Sequence, residues 1–128
     1  MIIDTSAVVA ILLAESDATH FERAIARAWP RRMSAVALLE TTMVVEARSG
    51  PSAGHDIDLF LQEAEIELAP VTPEHVEAAR RAWRRFGKGN HRAALNFGDC
   101  FAYALAKTTG EPLLFKGDDF AHTDVEAA

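Results

Sequence analysis

Hydrophobic and polar positions along this chain follow two periods in turn, one suited to strands and one to helices. Met1, Ile2 and Ile3 form a short apolar run that meets Asp4, Thr5 and Ser6, after which residues 7–14 are almost wholly apolar. The pattern predicts a buried strand, a tight turn and a helix start, with Thr5 and Ser6 as candidate caps. Ser16 and Asp17 open a second helix that carries Phe21, Ile25 and Trp29, and Pro30 ends it. Residues 31–34 suit a second strand. Residues 35–48 suit a helix stopped by Gly50 and Pro51, and Ile57, Phe60, Leu61 and Ala64 mark the stripe of another. Residues 66–69 alternate as a strand does. Thr72-Pro73-Glu74 is a strong helix start, with Pro at the first helical position, and Val76, Ala79, Trp83 and Phe86 supply that helix with a core face. Residues 87–90 break it. Asn96 or Gly98 opens a further helix that closes at Gly110, residues 112–115 form an apolar strand, and 116–120 a turn. Residues 123–125 are a candidate edge strand.

Strands alternating with helices predict an α/β fold with a mainly parallel sheet. The length of 128 residues suits a single domain spanning 1–128, and neither repeats nor linkers divide it. No apolar run approaches the roughly 20 residues needed to span a bilayer. Cys100 is the sole cysteine and the start lacks signal-peptide features, so a cytoplasmic location and no membrane partner are expected.

A net charge of −6 argues against a generic nucleic-acid coat. Yet Arg80, Arg81, Arg84, Arg85, Lys88 and Arg92 are six of the 13 basic side chains, with no acid among them. Such a patch can steer a polyanion, although charge runs are often only solvated helix faces or protein contacts.

The acids carry the candidate chemistry. Asp4 lies where a strand hands over to a helix, and ligands of open α/β sheets bind at the carboxyl ends of strands. Glu40 has Val36, Ala37, Met43 and Val44 as helical neighbours, which puts a carboxylate on an apolar stripe, whereas Glu46 has polar neighbours and reads as solvent-facing. Asp99 lies in the first turn of its helix beside Leu95, Ala102 and Tyr103, and Asp118 and Asp119 follow the last strand. Taken singly, each has a plain alternative: a helix-dipole acid, a buried ion pair or a turn former. A parallel sheet would bring them to one rim, where converging carboxylates raise one another's pKa unless a cation neutralises them. Oxygen donors suit Mg²⁺ or Mn²⁺, and the chemistry that follows is phosphodiester hydrolysis.

Ile3-Asp4-Thr5-Ser6-Ala7, then Leu39-Glu40, then Asn96-Phe97-Gly98-Asp99-Cys100-Phe101-Ala102, then Leu113-Leu114-Phe115-Lys116-Gly117-Asp118-Asp119-Phe120 together resemble the PIN-domain family. The likeness is greatest to the VapC-type ribonuclease toxins of bacterial toxin–antitoxin pairs. The resemblance implies an α/β/α sandwich, a Mg²⁺- or Mn²⁺-dependent endoribonuclease, a homodimer, an RNA substrate such as tRNA or rRNA, and a cognate VapB-type antitoxin that blocks the site. It makes Asp4, Glu40 and Asp99 the first three acids of the set. The fourth is Asp119, favoured by the Asp-Phe pair, with Asp118 in reserve. Where family members often carry a hydroxyl near that acid, this chain has Phe115.

Direct metal contact is expected for Asp4 and Asp99, with Glu40 and Asp119 completing the site through water or by orienting the nucleophile. Thr5 and Ser6 are candidates for ordering water or the Asp4 carboxylate. Lys88, His91 and Arg92, on the segment leading to Asp99, are candidate substrate contacts. Cys100 reads as a small core residue. The histidines show no paired metal-ligand spacing, and Trp29 and Trp83 read as core or dimer contacts. Two rivals remain: a catalytically inactive PIN-like binding module, and a phospho-receiver-like regulator whose late lysine would be Lys116.

Overall fold

The computed structural model describes residues 1–128. Its elements are β1 (Ile2–Ile3), α1 (Thr5–Leu12), α2 (Ala18–Arg27), β2 (Arg32–Ser34), α3 (Ala35–Ser49), α4 (Ala53–Glu63), β3 (Glu67–Ala69), α5 (Pro73–Phe86), α6 (Phe97–Thr109) and β4 (Leu113–Leu114), followed by a 3₁₀ turn at Phe120–His122. All four strands are parallel, in the order β3-β2-β1-β4. The expected three-layer α/β/α architecture is therefore present. The order differs from the 2-1-3-4-5 sheet of receiver domains, which removes that rival.

Successive strand residues face opposite sides, so the continuous apolar runs at β1 and β4 serve two cores at once. Ile3, Met33 and Leu114 pack with α1, α2, α3 and α4, while Ile2 and Leu113 pack with α5 and α6. β2 and β3 lie to one side of β1, and β4 lies to the other. The winding direction reverses between β1 and β4, the place where open α/β sheets form a ligand crevice.

Local chemistry sets most boundaries. Thr72 caps α5, with Pro73 at its first position, and its hydroxyl accepts from His75 N at 3.2 Å. Asn96 and Asp99 form a reciprocal capping box on α6, and Gly110 ends that helix in the left-handed region at φ 71°. The edge expected at 123–125 forms two residues later, where Ala127 bridges Leu113 in parallel.

Three sequence expectations need correction. Asp4, not Thr5 or Ser6, caps α1, which starts earlier than the apolar run suggests. The inward face of α5 is Ala78, Ala79, Ala82 and Phe86, leaving Val76 and Trp83 exposed. Small side chains on both α5 and α6, among them Ala102 and Ala106, let the two helices close, so the bulkiest apolar residues flank the contact. Trp29 lies beyond the end of α2 and is 71% exposed, outside either core, with the Arg31 guanidinium 5.7 Å from its ring centre.

Candidate active site

The crevice between β1 and β4 gathers the acids. Asp4 directly follows β1 and is buried, as the turn from strand to helix requires. Its Oδ2 accepts both the Ser6 backbone N–H (2.9 Å) and the Ser6 hydroxyl (2.6 Å). The same hydroxyl accepts from Lys116 N at 2.9 Å, which leaves its own proton for Asp4 and ties the turn after β4 to the turn after β1. Asp99, on the first turn of α6, is also buried, and its Oδ2 accepts from Asn96 N at 3.0 Å. Each aspartate thus commits one oxygen to the scaffold and leaves Oδ1 without a protein donor. Neither Oδ1 is sealed from solvent.

Glu40 projects from α3 onto the start of α6. A Cβ added at Gly98 would collide with both Glu40 carboxylate oxygens, so the glycine makes room for this carboxylate in its present seat. α3 is itself locked to the Asp4 turn: the Thr5 hydroxyl donates to Ala37 O at 3.2 Å, the Thr41 hydroxyl donates to the same carbonyl at 2.7 Å, and the two hydroxyl oxygens lie 3.3 Å apart. The Thr5 hydroxyl therefore braces α1 against α3 and does not bond the Asp4 carboxylate. Asp119 is exposed at the head of the 3₁₀ turn, and its charge acts on Asp99.

The electrostatics follow. Burial raises Asp4 above its ordinary range and the Glu40 charge adds to it, against the opposing Ser6 bonds. Burial pushes Asp99 up to about 7, opposed by the Asn96 N–H and reinforced by the charges of Asp4, Asp119 and Glu40. Burial and the neighbouring Asp99 charge raise the Cys100 thiol to about 11, which keeps it protonated and excludes it as a thiolate nucleophile.

No three His, Cys, Asp or Glu side chains cluster tightly enough to make an all-protein metal cage. Mg²⁺ does not need one, since it is commonly held by one or two carboxylates with waters completing its shell. Oxygen-only donors, two open Oδ1 atoms and a surplus of negative charge fit such an ion.

The remaining candidates divide. Ser6 belongs to the centre through Asp4. Lys88 and Arg92 are exposed on the segment between α5 and α6 and form no ion pair, so they are free to meet a substrate. His91 instead braces that segment: its Nδ1 accepts from Ala93 N at 3.0 Å and its ring stands edge-on to Phe86. Lys116 turns away from the acids to pair with Glu15 (2.9 Å) and Asp17 (3.0 Å). The sequence marks Gly98 only as a possible helix opener within the Asn96–Ala102 motif, and it does not mark Thr41. A glycine inside a helix start costs about 1 kcal/mol against alanine, and that penalty next to Asp99 was the available signal.

A family model described as PIN domain matches residues 1–126. The chain is 53% identical over 125 residues to "Ribonuclease VapC30" of Mycobacterium tuberculosis, covering 98% of this chain and 95% of that protein. It is 54% identical over 127 residues to "Ribonuclease VapC" of Mycolicibacterium smegmatis, covering 99% and 98%. Among solved structures, the fold is similar to that of Mycobacterium tuberculosis VapC20, described as a Sarcin-Ricin loop cleaving toxin. The TM-score is 0.80 at 18% identity, over 99% of this chain and 97% of that one. The chain belongs to the PIN-domain family and stands among its VapC ribonucleases.

Proposed function

We propose that this chain is a Mg²⁺- or Mn²⁺-dependent endoribonuclease, the toxin of a toxin–antitoxin pair. The observation that carries the metal dependence is the pair of buried aspartates, Asp4 and Asp99, each with one open oxygen and a raised pKa, among further acids. Uncompensated negative charge of this kind is costly in a buried place and is relieved by a cation. Asp4 and Asp99 would hold the ion directly, with Glu40 and Asp119 acting through water or on the nucleophile. A divalent cation there supplies a lowered water pKa and charge neutralisation at the phosphate. Ser6 fixes the Asp4 carboxylate, Asn96 fixes Asp99, and Gly98 lets Glu40 close over the head of α6.

The test is cleavage of total cellular RNA by purified, antitoxin-free protein with Mg²⁺, Mn²⁺ or EDTA, beside Asp99→Asn. The expected result is discrete, metal-dependent fragments that the variant does not make. Full activity in EDTA, or in Asp99→Asn, would sink the assignment.

Two partners complete the reading. The expected homodimer is supported by an apolar face around the site, where Leu39, Met43 and Phe97 are 62%, 64% and 75% exposed. Sedimentation as a monomer at micromolar concentration would remove it. The cognate VapB-type antitoxin would cover the carboxylate rim, and its addition is expected to stop cleavage. Cytoplasmic action on tRNA or rRNA follows from this reading. No helix is long and apolar enough to cross a membrane.

A further inference from the structure

Away from the acids, α5, α6 and the C-terminal tail enclose a cavity of about 320 Å³ lined by Ala78, Arg81, Arg85, Tyr103, Lys107 and Asp124. Asp124 occupies its edge. Asp124 Oδ1 accepts the Tyr103 hydroxyl at 2.7 Å, and its Oδ2 lies 3.3 Å from both Arg85 and Lys107. Lys107 Nζ also donates to the Asp124 carbonyl at 3.3 Å. Arg81 lines the same space and forms no ion pair. Three cations and a phenol therefore face a single carboxylate, with room for roughly ten waters at about 30 Å³ each.

The position of this cavity matters as much as its charge. Tyr103 follows Asp99 by one turn of α6, about 6 Å of rise, and Lys107 follows by another. Arg85 sits at the end of α5 that leads into the segment carrying Lys88 and Arg92. A basic track thus runs from that segment down the side of the helix that presents Asp99. Guanidinium, ammonium and phenol donors converging on one point suit a phosphodiester.

We infer that this cavity is a phosphate subsite for the RNA strand, in which the Asp124 carboxylate stands in for the phosphate until substrate displaces it from Arg85, Lys107 and Tyr103. The inference rests on the ribonuclease reading and adds a binding site outside the carboxylate centre. The tail is built for such an exchange. Asp124 lies between two anchored points, the 3₁₀ turn and the bridge of Ala127 to Leu113, so it can swing without releasing the chain.

The test is fluorescence anisotropy with a labelled single-stranded RNA oligonucleotide in EDTA, titrated over a series of KCl concentrations. Arg81→Ala removes an unpaired, exposed side chain and should leave the fold intact. It is expected to weaken binding on the order of tenfold at low salt. It should also reduce the salt slope by about 0.7, the release expected for one phosphate of a single strand. Asp124→Asn removes the competing anion and should tighten binding on the order of threefold. Arg48→Ala, on the far end of α3, should change neither quantity.

A purely structural tail clamp gives a different pattern: Asp124→Asn lowers Tm, and both variants keep wild-type affinity and slope. That result overturns the subsite, while metal-dependent cleavage by the wild type would leave the nuclease reading standing. A wild type that neither binds nor cuts RNA overturns both. Tighter binding of oligoglutamate than of RNA, lost in Arg81→Ala, overturns the subsite in favour of an acidic protein contact.

Discussion

Asp99 and Asp124 lie against the same helix and differ in almost every electrostatic respect. Burial raises Asp99 to about 7, and the acids around it, Asp4, Asp119 and Glu40, push the same way. Partial burial by itself would also raise Asp124, but Tyr103, Lys107 and Arg85 hold it below the ordinary carboxylate range. One region is a set of carboxylates without counter-charge; the other is a carboxylate surrounded by donors. The second holds its one carboxylate among an excess of cationic donors. The first gains from an added cation, so the same residue type marks a place for a cation in one region and for an anion in the other.

Removing the charge of Asp99 should break this comparison most sharply. Asp99→Asn is expected to lower metal-dependent cleavage by a factor on the order of 10³, equivalent to about 4 kcal/mol of transition-state stabilisation. In metal-free protein at pH 8 the same variant should be more stable than the wild type, with Tm higher by roughly 3–6 °C. The sign follows from linkage: a carboxyl raised in the folded state contributes stability that is present below its unfolded pKa and is lost as pH rises through about 7. The gap in Tm should therefore close as pH falls towards 4. A lower Tm for the variant at pH 8 would mean that the acids are not mutually repelling.

Gly98→Ala tests the seat of Glu40 without changing a charge. The added Cβ would collide with the Glu40 carboxylate in its present seat, so that carboxylate must shift. Activity is expected to fall about 10- to 100-fold, the usual cost of disturbing a positioning shell. Far-ultraviolet circular dichroism should be unchanged. Wild-type turnover in this variant would mean that cleavage does not depend on the present seat of Glu40.

Metal affinity offers a finer measure. Because protons compete with the ion for Asp99, apparent Mg²⁺ or Mn²⁺ affinity should rise by up to about tenfold per pH unit below about 7 and flatten above it. Calorimetric titration between pH 5.5 and 8.5 reads this directly, and a flat profile would exclude Asp99 as a ligand. The smallest effect belongs to the paired region. Tyr103→Phe deletes one bond to the half-exposed Asp124 and should cost about 0.5–1 kcal/mol in urea denaturation. That loss should shrink as pH falls through the lowered Asp124 pKa, the reverse of the Asp99 trend.

Much of this molecule is written locally, in short runs whose physics does not depend on distant residues. The apolar runs at Ile2–Ile3 and Leu113–Leu114, the Thr72-Pro73 start, the Asn96 cap and the Gly110 stop are all readable in this way, and they determine the α/β class. The acids were legible too, because Asp4 and Asp119 follow strands and Glu40 interrupts an apolar stripe. What sequence could not decide was which of several equivalent groups a side chain meets. Ser6 and Thr5 are adjacent hydroxyls, yet one holds Asp4 and the other braces α3, since successive residues of a helix point some 100° apart. Val76 and Trp83 satisfy the apolar period of α5 but lose the core to alanines, because contact distance between helices, not hydropathy, selects the packed face. Gly98 acquires its role only when α3 crosses the head of α6, and Asp124 only when the tail folds back onto Tyr103. Periodicity and capping determined the elements and the acids; the tertiary fold decided which charges stay unpaired, because pairing depends on distances that no local pattern encodes.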